Sequence, residues 1–536
     1  MAPSRLAAVA LTASLFALPA LCAEPTTLPA KLPLCGLAPS KIAANLCLYR
    51  YPVSTHSPEC QAFVDQGFGY FYSYVWMEAA RSFETAAQYD PDCAMAWWGL
   101  SRAMDKWDHG DPKKPLIKAG ELRDKANDRE QRLILARLQE KGLVPGVGDA
   151  DARKKAAIAT LDNMIAVYDD DEEAWYGRAQ LSGGARGFGG EVSALPYYKA
   201  LVRLNPLNPG ANHELLHFYE GYGRPALGWT NAENYIKSSP GIPHPFHMQA
   251  HLATRLGRWD KTSDRSAHAI ELERAYHKEM NVKPADDQQF SHHLEILLVS
   301  LTHDGRYTEA RAIEAEAKAA GFKQWTPWFR LHLAEGDWAE ALKVVDHFRR
   351  HDKTTASYMA ALIYLQQGDA ARAAPEVESL RQTYRDKKGD PQMEYQVWET
   401  QGLLLCQTGS EDEGLKLLAK AATRSKDDYG HHAWGNGSYF MEAWGEAALF
   451  GGRPDVAEEA FEEALAHDPG SVRAALGLQV LCERSGRSDE ARRYSDLAHH
   501  SWARADAGRL DAERDSLREG RNRAADGEAN PPVHTP

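Results

Sequence analysis

The amino-acid sequence predicts an all-α fold, a right-handed superhelix (α-solenoid) of irregular helix pairs. Glycine-containing turns recur along the chain at intervals of roughly 34 residues. Apolar residues between the turns follow the helical period, and no stretch shows the alternation typical of a strand. The chain has 536 residues and no Gly/Ser-rich or Pro-rich linker between residues 60 and 500. One long repeat array is therefore favoured over several domains.

The first residues have the three-part layout of a secretory signal. Arg5 precedes an apolar run over residues 6–21, and a small residue stands at Ala23. We therefore predict a signal peptide over residues 1–23 and an exported protein, periplasmic or secreted. Cys22 suggests a lipoprotein signal, but the residue before it is Leu, where such signals have a small residue. No later apolar run has the length of a membrane span.

Residues 24–57 contain several prolines and no steady period, which predicts an extended segment lying on the helices that follow. Export permits disulfides, and Cys35, Cys47 and Cys60 are close enough in sequence to staple this segment, with the connectivity left open. A cysteine zinc site is the alternative, but the C-x-x-C pair typical of such sites is absent.

The repeat array is predicted over residues 58–505, and its first unit has a recognisable signature. Gly67, Tyr70, Ala79, Phe83 and Pro91 fall at the offsets of the tetratricopeptide repeat, a helix-turn-helix unit of about 34 residues. Small residues let the two helices approach, and the aromatic residues fill the gap between them. A second copy has the same internal distances: Gly445, Ala457, Phe461, Ala464 and Pro469.

Between these copies the strongest marker is the turn inside each pair. A Gly that can take the left-handed conformation is followed five residues later by a small residue. The eight turn glycines are Gly223, Gly257, Gly305, Gly336, Gly368, Gly409, Gly452 and Gly486. Their unequal separations predict extra helix or loop after Gly257, Gly368 and Gly409. Residues 120–200 carry helical spacing for at least two more pairs, and residues 506–536 read as a frayed charged helix and disordered tail.

Over roughly residues 55 to 500 the chain resembles exported bacterial tetratricopeptide-repeat proteins of largely undefined function. The resemblance rests on residues 76–83, 90–99, 208–217 and 247–259, which include two His-x-x-x-His pairs. It implies the solenoid fold and export. It also implies that repeat positions 2, 5 and 9 line a concave groove where a protein or peptide docks. It implies no reaction.

Histidines occupy this groove-lining stripe in three successive repeats. The stripe positions lie thirteen, ten and six residues before the turn glycine, so they share one face of the first helix. Six of the nine positions before Gly223, Gly257 and Gly305 are His, in a chain that has 21 His in all. Chance placement would give about one-third of a His. The candidate metal ligands are His213, His217, His244, His247, His251, His292 and Glu295.

Imidazole chemistry makes a metal site the favoured interpretation. His at i and i+4 can bind one ion, neighbouring first helices can complete the shell, and Glu295 can add an oxygen. Neutral imidazoles suit transition metals, and we predict Zn or Cu. Two interpretations stay open beside it. In one, the stripe is a proton-sensitive surface whose histidines become charged below about pH 6 to 7. In the other, the histidines are structural, because repeat duplication copied one buried, hydrogen-bonded His.

Residues 213–217 also read His-Glu-Leu-Leu-His, the H-E-x-x-H motif in which Glu214 would be the general base of a metal-dependent hydrolase. No third His follows at metzincin spacing, and Glu233 is a poor fit for a later carboxylate ligand. His431 and His432, adjacent in sequence, would face different ways on a helix, which favours a loop over a ligand pair.

The sequence therefore predicts an exported tetratricopeptide scaffold or binding protein whose groove binds a protein or peptide and, at the His stripe, a transition-metal ion. A metal-dependent hydrolase and a peptide-binding scaffold with structural histidines are the alternatives. The formal net charge of −13 and the lack of a Lys/Arg-dense segment argue against nucleic acid as a partner.

Overall fold

A computed structural model describes residues 27–182, 192–287, 289–386, 389–428, 430 and 433–519. The predicted signal peptide, His431 and His432, and the tail from residue 520 lie outside these residues. Within them the regular structure consists of 25 α-helices and three short 3-10 segments, with no strand. None of these helices combines the length and the apolar character needed to cross a membrane.

Consecutive helices pack as pairs along the chain. The first six pairs are α1 (Pro58–Tyr72) with α2 (Trp76–Tyr89), α3 (Ala94–Trp107) with α4 (Lys113–Glu121), α5 (Asp128–Glu140) with α6 (Ala150–Val167), α7 (Glu172–Ser182) with α8 (Leu195–Leu204), α9 (Pro209–Gly221) with α10 (Trp229–Ser238), and α11 (Pro243–Arg255) with α12 (Trp259–Met280).

The remaining six pairs are α13 (Phe290–His303) with α14 (Tyr307–Ala319), α15 (Trp325–Glu335) with α16 (Trp338–His351), α17 (Lys353–Gln366) with α18 (Ala370–Asp386), α19 (Pro391–Gln407) with α20 (Glu411–Lys426), α21 (Tyr439–Phe450) with α22 (Pro454–His467), and α23 (Val472–Arg484) with α24 (Ser488–Ser501). A last helix, α25 (Arg509–Glu519), packs on α23. The predicted all-α solenoid of helix pairs is confirmed.

The turn glycines behave as predicted. All eight have φ between 63° and 88°, the left-handed region that side chains with a Cβ rarely adopt. The long interval after Gly257 is filled by the 22-residue helix α12. After Gly368 both α18 and α19 run for 17 residues, and after Gly409 a connection follows α20, which ends at Lys426.

The predicted aromatic filling of the repeats is also present. The Phe83 ring is fully buried, and a Cβ added at Gly67 would lie 2.8 Å from it. A Cβ at Gly99, in the next repeat, would lie 2.5 Å from the same ring. Gly445 stands in the same relation to Phe461. Each ring is thus clamped between glycines of two successive repeats, which holds the helices close.

The segment before α1 forms no helix between residues 27 and 57. It lies between α1 and the fourth and fifth pairs. The Tyr49 hydroxyl donates to Glu173 at 3.0 Å, the Tyr51 hydroxyl donates to Asp171 at 3.0 Å, and the Leu48 amide donates to the Ser238 carbonyl at 2.7 Å. These buried phenols fix the segment against the array.

The predicted stapling of this segment by its own cysteines is not what the structure has. All three thiols are free and buried at separate places. The amide of Cys35 donates to Glu84, the Cys47 sulfur lies 3.3 Å from the Ser239 hydroxyl, and Cys60 hydrogen-bonds to Cys93. Closeness in sequence did not predict closeness in space, because the segment is extended and each thiol packs against a different repeat.

The array closes on itself around α12 and α13. On one side the Tyr276 hydroxyl donates to Glu78 of α2 at 2.7 Å. On the other side the Trp259 indole donates to Asp468, after α22, at 3.1 Å, and the Trp502 indole donates to the His303 carbonyl at 2.7 Å. Repeats more than 190 residues apart are therefore in direct contact.

Candidate functional site

The histidine stripe lies on α9, α11 and α13, the first helices of three successive pairs. Two of these helices start on proline, which suits the first helical position. The Asn208 side chain accepts from the Ala211 amide and caps α9, and Pro243 opens α11. The structure brings all six predicted histidines into one continuous cluster, which falls into overlapping groups of three.

The first group is His213, His217 and His244. The Nε2 atom of His213 lies 2.9 Å from Nε2 of His217 and 2.8 Å from Nε2 of His244. The other ring nitrogen of His213 is 2.7 Å from the carbonyl oxygen of Tyr72, at the end of α1. A carbonyl oxygen can only accept, so Nδ1 of His213 carries the hydrogen and Nε2 carries a lone pair.

The second group is His247, His251 and His292. The Nε2 atom of His251 lies 3.1 Å from Nε2 of His247 and 3.3 Å from Nε2 of His292. Carboxylates hold the outer nitrogens, since Nδ1 of His251 is 3.0 Å from Glu220 and Nδ1 of His292 is 3.4 Å from Glu295.

Glu295, which the sequence predicts as an oxygen ligand, lies beside the His292 ring. Its carboxylate contacts the outer nitrogen of His292, and it is not part of the three-histidine groups. Glu220, which the stripe analysis did not include, has the same relation to His251. Extending the stripe three residues beyond His217 would have found Glu220, because it lies on the same helical face.

A seventh histidine, His293, joins the cluster from beside the stripe. It forms a middle group with His244 and His247, and its ring centroid lies 4.2 Å from that of His247. Its Nδ1 atom is 2.8 Å from Glu273 of α12. No sequence signal marks His293, since it is adjacent to His292 and lies off the predicted face.

The cluster is buried rather than exposed in an open groove. His213 is 0 %, His247 4 % and His217 8 % exposed. Burial lowers the pKa of His217 to about 3, and burial with neighbouring imidazoles lowers the pKa of His244 and His247 well below the usual value. These rings are neutral at physiological pH, which disfavours the proton-sensing interpretation.

Glu220 stays ionised beside them. Burial opposes its ionisation, but His251 and Arg255 outweigh burial and lower its pKa to about 2. As a carboxylate it only accepts hydrogen bonds, so Nδ1 of His251 carries a hydrogen, and in the neutral ring Nε2 then has the lone pair.

Hydrogen placement in the second group leaves lone pairs facing one another. His251 and His292 both turn Nδ1 to a carboxylate, and their Nε2 atoms meet at 3.3 Å. With both rings neutral, the two Nε2 lone pairs meet at that distance, and a cation between them would relieve their repulsion. In metal sites, histidines are commonly oriented in this way: a carboxylate or a carbonyl accepts from the outer nitrogen of each ring, and the inner nitrogens converge on the ion.

Glu214 is not placed as the general base that the H-E-x-x-H motif predicts. One carboxylate oxygen accepts from the Tyr74 and Tyr176 hydroxyls, each at 3.0 Å, and from the Gln180 amide at 3.1 Å. Burial raises the pKa of Glu214. These three donors make Glu214 a hydrogen-bonding centre between repeats rather than a base poised on water.

A cavity of about 480 Å³ lies beside the cluster. His217, His244, His247, His251, His292 and His293 all line it. Aromatic rings from α2 and α3 and from Trp434 form other walls, and Glu220 and Asp287 supply negative charge. The cluster therefore borders a partly open cavity large enough for a small molecule or a short side chain.

Comparison with known proteins supports the class of protein that the helix pairs define. The tetratricopeptide repeat family model matches residues 76–104, 326–386 and 442–499. These three stretches are similar to tetratricopeptide repeats, and helix pairs continue between them. The histidine cluster falls between the first and second matched stretches. No curated protein matches the chain.

Two solved structures are similar in outline. One is yeast Tom70, 14% identical, with 86% of this chain and 95% of that chain covered and a TM-score of 0.32. The other is the APC/C hetero-tetramer Cut9-Hcn1, 12% identical, with 84% of this chain and 79% of that chain covered and a TM-score of 0.32.

Proposed function

We propose that this chain is a non-catalytic binding protein, a tetratricopeptide solenoid that holds a transition metal in its histidine cluster and docks a protein or peptide on the same scaffold. The observation that carries the metal proposal is the convergence of Nε2 lone pairs. The outer nitrogens of His213, His251 and His292 face a carbonyl or a carboxylate, so in the neutral rings the inner Nε2 atoms carry the lone pairs that would bind a cation.

The ligand chemistry narrows the class of metal. The inner atoms are imidazole nitrogens, without thiolate or carboxylate oxygen among the three-histidine groups. Such a set favours Zn, Cu or Ni over Mg or Ca, which prefer oxygen. With three protein ligands, a fourth position can face the adjacent cavity, where a further ligand can bind.

The protein-docking part of the proposal rests on the repeats. Tetratricopeptide arrays present long surfaces that bind other chains. A second cavity of about 340 Å³ between the C-terminal pairs carries both signs of charge, with Arg330, Glu399 and Arg473 in its wall. Export stays a prediction of the N-terminal sequence.

Elemental analysis of the purified chain tests the metal proposal. We expect stoichiometric Zn, Cu or Ni in the wild type, and a lower metal content in the double variant His247→Ala/His251→Ala, which removes two converging nitrogens. If the variant retains the full metal content of the wild type, His247 and His251 are not metal ligands and the assignment is wrong.

A matched control exists elsewhere on the chain. His347 and His351 form another i,i+4 pair, on α16, with ring centroids 4.9 Å apart. The variant His347→Ala/His351→Ala should keep its metal. If both double variants lose metal equally, the ion is bound adventitiously at surface histidines.

A hydrolase is the second candidate, and Glu214 separates it from a binder. A Glu214→Gln variant keeps an oxygen that accepts from Tyr74 and Tyr176. We expect it to retain metal. A detected hydrolytic activity that the wild type has and this variant lacks would favour the enzyme.

A further inference from the structure

We propose that the histidine cluster holds two metal ions in two separate sites rather than one ion in a shared site. The first site is His213, His217 and His244, and the second site is His247, His251 and His292. This inference rests on the proposed function and specifies how many ions the cluster binds and through which nitrogens.

One ion cannot use all of these ligands. Metal–nitrogen bonds of about 2.0–2.1 Å limit the ligands of a single ion to nitrogens within roughly 4.2 Å of one another. Among the described residues the histidines of the cluster instead form groups of three, each with its ligand atoms within 4.8 Å of one another, and no four of them meet that criterion together. The two end groups share no member, so each can hold its own ion.

The first site joins α9 to α11. Its Nε2 atoms stand 2.8 and 2.9 Å apart, against about 3.3 Å for neighbouring nitrogens around a tetrahedral ion. Entry of an ion therefore requires the rings to move apart by only about half an ångström. The Tyr72 carbonyl already holds His213 in the tautomer that binds through Nε2.

The second site joins α11 to α13 and is closer to the bound geometry. Its Nε2 distances are 3.1 and 3.3 Å, which match the edge of a tetrahedral site. Glu220 and Glu295 hold two of its three rings from outside and supply negative charge that compensates a divalent ion.

The middle group gives no third site under the same chemistry. It reuses His244 and His247, whose Nε2 atoms belong to the end sites. A third ion would need both rings to bind through Nδ1 as well, and a neutral imidazole keeps one N–H hydrogen. The Nδ1 atom of His247 is buried without a hydrogen-bond partner in the described structure, which is the position that this hydrogen would occupy.

Titration of the full-length chain with Zn(II), after stripping with a chelator, tests the inference. Elemental analysis after gel filtration should find about two ions per wild-type chain. His217→Gln should retain about one ion because it removes a ligand from the first site only, and His292→Gln should retain about one because it affects the second site only. The double variant His217→Gln/His292→Gln should lose both ions.

The buried His332 provides the control. It pairs with Glu314 at 3.1 Å, outside the cluster, and His332→Gln should keep about two ions. No bound Zn(II) in the wild type would reject the proposed function and this inference together. One ion in the wild type, or three, would reject the two-site assignment and leave metal binding intact.

A second measurement on the wild type guards against variants that fail to fold. Co(II) in a tetrahedral nitrogen site gives visible absorption, and the bands should grow linearly and stop at about two equivalents. Saturation at one equivalent would overturn the two-site assignment without recourse to any substitution.

Discussion

Glu220 is a carboxylate that contacts the histidine cluster from outside, through the outer nitrogen of His251. Its carboxylate accepts from Nδ1 of His251 at 3.0 Å and lies 3.7 Å from Nε of Arg255. An anion at this position makes the imidazole a stronger ligand and fixes its tautomer.

We predict that Glu220→Gln weakens metal binding without removing it. The amide oxygen still accepts from His251, but the charge is lost, and losses of this kind cost about 10- to 100-fold in affinity. Competition with a chromophoric chelator measures the change. The exposed Glu233→Gln is the control, and equal affinities for the two variants would contradict a role for Glu220 in the metal site.

At this scale the sequence predicted the inner histidines and missed their surroundings. Periodicity placed His213, His217 and their partners on one face because a helix repeats its face every three to four residues. It did not find His293, whose contact with Glu273 depends on how α13 packs on α12. It also could not decide whether Glu295 binds a metal or an imidazole, since both uses suit the same position.

Among the helices, the clamp of glycines around Phe83 sets the spacing of the first repeats. A Cβ at Gly99 would lie 2.5 Å from the ring, and a Cβ at Gly67 would lie 2.8 Å from it. The same arrangement around Phe461 makes the clamp a recurring device of this array.

We predict that Gly99→Ala destabilises the chain by about 1–3 kcal/mol, the cost of overpacking a filled core. Gly177→Ala is the matched control, because Gly177 is also inside a helix but its added Cβ would meet Leu161 at an ordinary 3.4 Å. Helix propensity should make that control neutral or stabilising by up to about 1 kcal/mol. Urea denaturation compares the two, and equal midpoints would contradict the clamp.

The repeat signature and the turn glycines could be predicted because they are local. A left-handed turn needs Gly whatever the rest of the chain does. The separate positions of Cys35, Cys47 and Cys60 could not be predicted, since they depend on the path of an extended segment that has no periodicity of its own.

Across the whole molecule, the contacts around α12 and α13 join distant repeats. The Trp259 ring stacks on His303 at 3.6 Å between centroids, and its indole donates to Asp468. Burial, with the nearby Glu442, raises the pKa of Asp468 to about 7. This carboxyl therefore keeps its proton to a higher pH in the folded chain than in the unfolded chain, where the pKa is about 3.9.

A raised pKa sets the direction of the pH dependence. The contribution of Asp468 is fully present below about pH 4 and is lost as the pH rises through about 7. Asp468→Asn keeps an oxygen for the Trp259 indole and never ionises. We predict that the variant matches the wild type near pH 4 and exceeds its free energy of unfolding by up to about 4 kcal/mol at pH 8.

Urea denaturation at several pH values follows this difference, with the exposed Asp151→Asn as the control. A difference between Asp468→Asn and wild type that stays constant from pH 4 to 8 would show that Asp468 titrates normally. These closing contacts were absent from the sequence prediction because they join residues far apart in the chain.

The hydrogen bond from Trp259 to Asp468 also constrains how such a chain can change over time. In an open solenoid a repeat can be gained or lost, since each unit contacts only its neighbours. Here the repeats between residues 259 and 468 must span a fixed gap, as those between residues 78 and 276 must on the other side. Duplication or deletion of one unit would separate Trp259 from Asp468 or Tyr276 from Glu78. These two contacts therefore constrain the number of repeats that lie between them.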